Sequence, residues 1–572
     1  MAAVETPRQS DADLKSIGEA RALARRAREA QALLAELDQT RIDAIVQAMA
    51  EAVGPHAEAL ARLAVEETGF GVVADKTQKN QFASGRVYEF IRPMKTVGVV
   101  NRLEDRKVVE IAEPFGVVAA IVPSTNPTST AIYKILIALK ARCAIVISPH
   151  PSAVRCITRT AAIMAEAAAR AGAPDGAISW MTTVTLEGTQ ALMQAREVAV
   201  ILATGGMGLV RAAYSAGKPA YGVGPGNAPC YIESSADLAK AANDILTGKA
   251  FDSGVLCSSP NSVVVDRAVD QETRRQFQAQ GGHFLSKEEA DRLAALLVTP
   301  QRLPNPKFVG KTAVHIAREA GITVPAETRA LIAELQGVGR DHPLSIEKLC
   351  PVLSYYVVAD WREGCERCKD ILRYGGMGHT MSIHSRNEAV ILEFGLHKPA
   401  FRICVNTSTS HGSIGLTTGL DPAMTLGCGG FGGNITSDNI SPKHLLNIKR
   451  LAYEVRPLPS AGARTAPALP RAPAQPVPDT IPADALARRI DSFLASRGIG
   501  GASPAPEAPR APAAPQAVQT VQAPEPFVCE DDVRLAMREG RTILVNDRTI
   551  ITPSARDTGE ANKVFVWQGL RP

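Results

Sequence analysis

The hydrophobic pattern of the chain changes from a helical period to strand-like runs within its first third. Residues 11–66 carry apolar side chains at helical spacing, and Gly69 is expected to end the last of these helices. Continuous apolar runs such as Gly116–Pro123 then alternate with helical segments such as Ser129–Ala141. Unbroken apolar runs of this length are typical of strands buried on both faces. The pattern therefore predicts an α/β fold with parallel strands and right-handed crossovers.

Loops that follow the predicted strands contain the first candidate site residues. Asn126, His150 and the segment Thr204–Gly208 each come directly after such a strand, at the edge where parallel sheets bind ligands. Glycines in Thr204–Gly208 permit close backbone approach, and the helix that follows favours a phosphate at its start. Because the segment is not a complete GxGxxG, a tight turn without a ligand is an equally good interpretation.

One of the ten cysteines is distinguished by its neighbours. Cys257 lies in Phe251–Pro260, where small residues leave its sulfur approachable and allow backbone N–H groups to face a substrate. A packed core thiol is the alternative interpretation, since a reactive thiolate needs an environment that favours it. Cys365 and Cys368 form a single CxxC without a second pair, so no metal site is predicted.

The chain changes character after Val455. Pro457–Pro482 and Gly500–Pro526 are rich in alanine and proline and predict extended tethers. Between them, Asp484–Arg497 has the period of an amphipathic helix. Its apolar stripe consists of Leu486, Ile490, Phe493 and Leu494. A short helix between two tethers has no core of its own, which favours an external partner, with docking on the same chain as the alternative.

Residues 527–567 are expected to form a last small unit. The segment Glu530–Glu539 predicts a helix that Gly540 ends, and strand-like pieces follow at Thr542–Val545 and Thr549–Thr552.

Composition narrows the class of protein. A chain of 572 residues is expected to contain about two to four domains. Its 45% hydrophobic and 21% charged residues are typical of soluble globular proteins. The net charge of +5 is small and no Lys/Arg block occurs, so no nucleic-acid partner is predicted. Met1–Asp13 is polar and no apolar run reaches about 18 residues, which favours a cytoplasmic protein with reduced thiols and no membrane partner.

Several of these segments form an ordered set of motifs. They are Pro123–Pro127, Ser148–Pro151, Thr204–Gly206, Gly224–Asn227, the Cys257 segment and Glu347–Pro351. Over roughly residues 15–455 this set resembles the CoA-acylating aldehyde dehydrogenases, and most closely the propanal and acetaldehyde dehydrogenases of bacterial microcompartments. The resemblance implies two parallel-sheet α/β domains, one binding a nucleotide and one carrying the cysteine, plus a β arm for oligomerisation into a homodimer or homotetramer.

This resemblance also implies how the chain divides into domains. The expected parts are a NAD/CoA-binding domain (1–233) whose hairpin near 96–112 joins the arm, a catalytic domain (234–430), the arm (431–455), a linker (456–483), an amphipathic helix similar to encapsulation peptides (484–499), a second linker (500–526) and a C-terminal module (527–572). The extension beyond the arm is expected to be mostly disordered. The terminal module weakly resembles one found on other microcompartment-associated proteins.

By the same resemblance, Cys257 is the catalytic nucleophile and Asn126 helps to bind the oxyanion. NAD is the hydride acceptor and coenzyme A the acyl acceptor, and Glu347 holds the nicotinamide ribose. The remaining expected cofactor-binding residues are Ile121, Pro123, His150, Pro151, Thr204, Gly205, Gly206, Gly222 and Gly224. His379 either orients groups near the cofactor or is structural.

A valine decides which acyl acceptor is expected. Hydrolytic aldehyde dehydrogenases carry a glutamate that activates water ahead of the nucleophile, and ungapped alignment from Cys257 puts Val223 at that place. Valine cannot accept a proton, so the thioacyl-enzyme is expected to wait for CoA. The implied substrate is propanal, with acetaldehyde next, and the implied place is a microcompartment lumen, with shell proteins as partners of 484–497. A hydrolytic enzyme and a catalytically silent scaffold are the alternatives.

Overall fold

The computed structural model describes residues 10–458, 483–497, 524–546 and 548–568, which belong to two compact units divided at Leu458. We call residues 10–458 the body and the described residues beyond them the C-terminal unit. The helices of the body are α1 (Asp11–Ala35), α2 (Gln39–Val53), α3 (Ala57–Thr68), α4 (Val73–Gln81), α5 (Val87–Ile91), α6 (Pro127–Lys140), α7 (Val154–Arg170), α8 (Leu186–Gln194), α9 (Met207–Tyr214), α10 (Leu238–Ala250), α11 (Asp270–Ala279), α12 (Lys287–Leu297), α13 (Ala313–Glu319), α14 (Trp361–Tyr374), α15 (Glu388–Leu396) and α16 (Thr409–Gly412).

The strands of the body form three sheets. They are β1 (Gly98–Leu103), β2 (Val108–Pro114), β3 (Val117–Val122), β4 (Ile145–Pro149), β5 (Ile178–Trp180), β6 (Val198–Thr204), β7 (Ala220–Val223), β8 (Ala228–Ile232), β9 (Pro260–Asp266), β10 (Gly282–Phe284), β11 (Ala330–Glu334), β12 (Val352–Val358), β13 (Gly378–His384), β14 (Ala400–Val405) and β15 (Leu446–Ala452).

The first parallel sheet has five strands in the order β5-β4-β3-β6-β7. Its central strand β3 is buried throughout, as the apolar run Gly116–Pro123 predicted. Ile121 lies opposite Ser148 on β4 and Ala203 on β6, so the carboxyl ends of these three strands meet at one edge. The loops that carry Asn126 and His150, and the turn after Thr204, therefore come together there.

The second parallel sheet has seven strands in the order β10-β11-β12-β9-β8-β13-β14. The segment with Cys257 connects α10 to β9, and β9 is buried along its length. The predicted α/β fold class with parallel sheets is thus confirmed. The structure also ends α3 at Gly69, whose φ of 69° lies in the left-handed region that glycine adopts readily.

The third sheet is antiparallel, with the order β1-β2-β15. β1 and β2 form the hairpin expected near 96–112, and Leu446–Ala452 pairs with β2 along its whole length. One side of this sheet is exposed: Val99 is 41% and Leu451 47% accessible to solvent.

Residues 70–95, to which the hydrophobic pattern assigned no element, contain a continuous helical stretch from Val73 to Ile91. α4 is followed by a π-helical turn at Phe82–Arg86 and by α5. The face that α4 buries is polar and consists of Lys76, Lys79 and Asn80. An apolar periodicity therefore does not reveal this helix.

The C-terminal unit contains α17 (Ala483–Ala495), α18 (Glu530–Glu539), α19 (Pro553–Ala561) and the strands β16 (Phe527–Val528), β17 (Ile543–Val545), β18 (Ile550–Ile551) and β19 (Phe565–Trp567). The helices expected at 484–497 and 530–539 are confirmed, and Gly540 ends the latter with φ 64°. β16 pairs with β18 and β17 with β19, both parallel, whereas α19 was not predicted. The two Ala/Pro-rich segments lie, apart from their ends, outside the described residues.

Among the described residues, none of the helices combines the length and the apolar character needed to cross a bilayer.

Candidate active site

A cavity of about 440 Å³ lies between the carboxyl edge of the five-stranded sheet and the Cys257 segment. Every residue that the sequence singled out as catalytic or cofactor-binding lines this cavity, with one exception. The lining members of that set are Ile121, Pro123, Asn126, His150, Pro151, Thr204, Gly205, Gly206, Gly224, Cys257 and Glu347. The site thus combines groups from both parallel sheets.

The exception is Gly222, which faces away from the cavity. Its N–H donates to the Tyr214 hydroxyl at 3.2 Å, and a Cβ at this position would approach Val210 Cγ1 to 2.8 Å. Gly222 packs between β7 and α9, and its expected contact with a cofactor stays a prediction.

The turn between β6 and α9 fits a phosphate-bearing dinucleotide. Gly206 caps α9, and the space where its Cβ would stand is open, so a ligand can approach the backbone there. A Cβ at Gly205 would lie 2.7 Å from Leu209 Cδ2, so a larger residue there would displace the end of the Leu209 side chain. The Thr204 hydroxyl oxygen is buried without a hydrogen-bond partner among the described residues, as expected for a group that completes its bonding with a ligand or water.

Cys257 is the one cysteine that lines the cavity. It is partly exposed, whereas every other cysteine of the body is buried. The protein surrounds the sulfur on most sides, and this burial raises the pKa of the thiol to about 12, helped by the nearby Glu347 carboxylate. The thiol is therefore protonated at neutral pH and must lose its proton before it reacts.

The carboxamide of Asn126 has one N–H available to a ligand. Its Nδ2 donates to Thr125 Oγ1 at 3.2 Å, which uses one of the two amide hydrogens, and no other acceptor occurs among the described residues. Its Oδ1 accepts a hydrogen bond from Lys79 Nζ at 2.5 Å. Pro127 at the first position of α6 fixes the chain direction directly after Asn126.

Glu347 supplies the only carboxylate among the described residues that line the cavity. Its Oε1 accepts the Gly226 N–H at 2.8 Å. Burial raises the pKa of this carboxyl to about 8, against the lowering effect of the Gly226 hydrogen bond and of Lys249. Val223 also lines the cavity, at the end of β7, and offers it only methyl groups.

His379 and the CxxC pair do not line the cavity. The His379 ring is buried behind Gly226, with Nδ1 hydrogen-bonded to Thr380 Oγ1 at 3.0 Å, and burial lowers its pKa to about 3. Its Nε2 has no partner among the described residues. Cys365 and Cys368 are buried on α14, and no cluster of three potential metal ligands occurs in the described part of the chain.

Sequence reasoning missed a group of buried charges beside the cavity. Lys76 and Lys79 on α4 both contact the carboxylate of Asp252, which lies five residues before Cys257. All three side chains are almost inaccessible to solvent. The only sequence signal was a pair of lysines at helical spacing, which is also the pattern of a solvated surface helix.

Comparison with known proteins agrees with this geometry. The family model described as aldehyde dehydrogenase family matches residues 9–291. The chain is similar to the crystal structure of an acetylating aldehyde dehydrogenase from Geobacillus thermoglucosidasius, at 50% identity and a TM-score of 0.77, over 79% of this chain and 100% of that one.

Two further relatives extend the comparison. A propionaldehyde dehydrogenase from the fucose utilisation bacterial microcompartment of Clostridium phytofermentans is 28% identical, with a TM-score of 0.68, over 75% of this chain and 96% of that one. The bifunctional aldehyde-alcohol dehydrogenase AdhE of Escherichia coli is 41% identical over 442 residues, which are 76% of this chain and 50% of AdhE. The chain thus spans about half the length of that curated relative. These matches show that the chain belongs to the aldehyde dehydrogenase family.

Proposed function

We propose that this chain oxidises a short-chain aldehyde to an acyl-CoA, with NAD as the hydride acceptor and coenzyme A as the acyl acceptor. The observation that carries the proposal is the joint presence of the Cys257 thiol, the Asn126 carboxamide and Val223 in one cavity. The name of the Geobacillus relative, an acetylating aldehyde dehydrogenase, supports the same reaction.

Cys257 is the nucleophile in this proposal. Once its proton has passed to solvent, the sulfur forms a bond to the aldehyde carbon, and the former carbonyl oxygen becomes negatively charged. The free N–H of Asn126 and the backbone N–H of Cys257 are the donors for that oxygen. A bound nicotinamide supplies the acceptor for the hydride that the substrate carbon then loses. The acyl group stays on Cys257 as a thioester.

Different residues of the cavity are proposed to bind different parts of the cofactor. The Thr204–Gly206 turn and the start of α9 bind the pyrophosphate, and Glu347 binds the nicotinamide ribose. His150, directly after β4, is the proposed contact for the adenosine ribose, and Pro151 lines the cavity beside it. The remaining contacts come from Ile121, Pro123 and Gly224.

Val223 explains the choice of acyl acceptor. A side chain of methyl groups does not activate water, and the Glu347 carboxyl is engaged by the Gly226 N–H. The acyl group is therefore transferred when the sulfur of CoA forms a bond to the acyl carbon. The Cys257 sulfur leaves and takes up the proton that the CoA thiol gives up, which restores the enzyme.

The decisive experiment measures NADH formation from propanal with and without CoA, and identifies the product by mass spectrometry. The expected result is CoA-dependent NADH formation and propanoyl-CoA. CoA-independent NADH formation with free acid as the product would instead support a hydrolytic aldehyde dehydrogenase. A folded protein that forms no NADH from any short aldehyde would support the scaffold interpretation.

Propanal is the first proposed aldehyde and acetaldehyde the second. The Clostridium relative named for propionaldehyde supports the former, and the acetylating Geobacillus relative supports the latter. One methylene in an apolar pocket is worth only about 1–3 kcal/mol, so the kcat/KM ratio of the two substrates is expected within about 200-fold. Parallel measurements with both aldehydes, each with NAD and NADP, establish the order.

The location and the partners are also proposals. The microcompartment named for the Clostridium relative supports a place inside such a shell, with α17 contacting shell proteins. The body is proposed to form a homodimer or homotetramer through the three-stranded sheet and the edge strand β14. Phe401 on β14 is 41% exposed and stacks on Phe431, itself 54% exposed, at 5.2 Å between ring centroids. Light scattering of the wild type and of Phe401→Asp measures the molar mass of the oligomer and so tests whether β14 lies in the interface between subunits.

A further inference from the structure

The carboxylate of Asp252 is completely buried between α4 and the Cys257 segment. Its Oδ1 accepts the Val72 N–H at 2.7 Å. Its Oδ2 accepts from Lys76 Nζ at 2.9 Å and also from Lys79. Asp252 and the following Ser253 have φ values of 48° and 53°, a conformation that costs energy and persists only where surrounding contacts enforce it. These contacts fix the segment that leads to Cys257.

Lys79 links this cluster to the other half of the site. Its Nζ contacts Asp252 on one side and lies 2.5 Å from Asn126 Oδ1 on another. The Lys79 side chain is only 2% exposed, so water does not replace either contact. A single ammonium group therefore joins the segment of the nucleophile to the residue proposed to bind the oxyanion.

The chemistry of an ammonium group determines how the Asn126 carboxamide is oriented. An ammonium donates hydrogen bonds and accepts none, so it pairs with Oδ1 and repels Nδ2. The amide nitrogen must then lie on the opposite side, where one hydrogen goes to Thr125 Oγ1 and the other remains for a ligand. Burial lowers the pKa of Lys79 to about 8, so the charged form still predominates at pH 7.

We propose that Lys79, held by Asp252, is the positioning residue that keeps the Asn126 N–H directed at the oxyanion formed on Cys257. This inference rests on the proposed aldehyde oxidation, since it concerns an oxygen that becomes negative in that reaction. Lys79 acts through Asn126 and touches no substrate. A donor aligned in advance stabilises the transition state without reorganising during the reaction.

Lys76 provides a matched control on the same helix. It is equally buried and contacts the same Asp252 oxygen, but its remaining hydrogen bond goes to the backbone oxygen of Thr125 at 2.9 Å. Lys76→Met and Lys79→Met therefore remove the same charge from the same partner. Only Lys79→Met removes the donor from the Asn126 carboxamide.

The test is a double-mutant cycle on the NADH burst of the full chain with saturating NAD and propanal. Asn126→Ala is expected to slow the burst by about 10²–10³-fold, as for other oxyanion donors. Lys79→Met is expected to slow it at least about tenfold, with little change in the KM for NAD. In the Asn126→Ala background, Lys79→Met should slow it by less than about twofold, because its effect passes through Asn126. Whatever factor Lys76→Met changes the burst rate by in the wild type, it should change it by the same factor in the Asn126→Ala background.

Multiplicative effects of Lys79→Met and Asn126→Ala would overturn the proposal, and so would suppression of the Lys76→Met effect by Asn126→Ala. Lys79→Gln serves if Lys79→Met does not fold, because glutamine can still donate to Asn126 Oδ1. The burst rate of Lys79→Gln should exceed that of Lys79→Met. If Lys79→Met yields no folded protein, the burst rate of Lys79→Gln should exceed a tenth of the wild-type rate. A lower rate contradicts the proposal.

Alkylation of Cys257 by iodoacetamide forms no oxyanion, so its rate should change less than about twofold in Lys79→Met or, failing that, in Lys79→Gln. A large change would assign Lys79 a general structural role. If the wild type forms no NADH, the proposed function fails by itself. A crystal structure of the wild type then tests the inference: Asn126 Nδ2 turned towards Lys79, or away from the Cys257 sulfur, would overturn it.

Discussion

Two helices carry the same kind of apolar stripe in opposite surroundings. On α7 the stripe includes Ile157 and Met164, which are completely buried against the body. On α17 it includes Ile490 and Phe493, which are 50% and 59% exposed. Amphipathic periodicity thus reveals that a helix has a face to bury, but not what buries it.

The difference in exposure between these two stripes corresponds to two proposed tasks, catalysis in the body and association through α17. The body supplies every residue of the candidate active site, whereas α17 supplies an apolar face and no residue of that site. We therefore expect changes in the cavity to alter chemistry alone, and changes in the α17 stripe to alter association alone.

Cys257→Ala is expected to have the largest effect on the body. Without the sulfur no thioacyl-enzyme forms, so NADH and acyl-CoA production should fall to background while α17 is unaffected. A steady-state assay measures this, with Cys156→Ala on α7 as the control for loss of a buried thiol. CoA-dependent turnover above background in Cys257→Ala would mean that another cysteine performs the reaction.

Val223→Glu is expected to add a reaction. A carboxylate beside the thioester can activate water, and general-base catalysis contributes about 10²–10⁴-fold, so slow release of free acid without CoA should appear. The measurement is acid formation in single turnovers. Val223→Gln introduces a side chain similar in size to glutamate but without a base, so this variant should not gain the hydrolysis. Equal hydrolysis in the two variants contradicts the role assigned to this position.

The environment of Cys257 predicts a steep pH dependence. Since burial raises the pKa of its thiol to about 12, the thiolate fraction increases about tenfold per pH unit between pH 7 and 9. The rate of Cys257 alkylation by iodoacetamide should rise about 100-fold over this range, after subtraction of the Cys257→Ala background. A plateau below pH 8 would mean that a neighbouring group stabilises the thiolate much more strongly.

The sequence predicted those parts of the fold and site that local patterns encode. The apolar run of β3 indicated a buried strand, and loops at the strand ends indicated Asn126 and His150 as cavity residues. Buried charges follow a different rule, because Lys79 and Asp252 are 173 positions apart and only the fold brings them together. A lysine pair on a polar helix has the pattern of a solvated surface, which concealed α4.

Gly222 shows what membership of a motif leaves open. Its position within a glycine-rich motif indicated a cofactor contact, yet β7 turns its α-carbon towards Tyr214 and Val210. Motif membership places a residue near a site, but the alternation of a strand decides which face it occupies.

Stability measurements sharpen the comparison of the two stripes. Ile157→Ala on α7 removes completely buried methyl groups and should lower the free energy of unfolding of the body by about 2–5 kcal/mol. Ile490→Ala on α17 removes a half-exposed side chain and should change it by less than about 0.5 kcal/mol. Urea unfolding followed by fluorescence measures both. A loss for Ile490→Ala as large as that for Ile157→Ala would indicate that α17 docks on the body.

The smallest effect on activity is expected from the α17 stripe itself. Replacing Ile490 and Phe493 together with Asp should leave kcat and KM within about twofold, because neither residue lies in the cavity. Each apolar side chain contributes about 1.5–3 kcal/mol if a partner buries it fully, less the cost of ordering a helix that is marginal in isolation. Several copies on one oligomer would strengthen such weak contacts.

The double variant should therefore lose association with shell proteins and keep its turnover. Residues 484–497 fused to a fluorescent protein measure sufficiency beside assembled shells, with the same fusion carrying both Asp substitutions as the control. Accumulation of the first fusion alone supports an external partner. Equal, uniform fluorescence of both fusions, together with reduced stability of the double variant, would show that the stripe of α17 is buried by its own chain, as the stripe of α7 is.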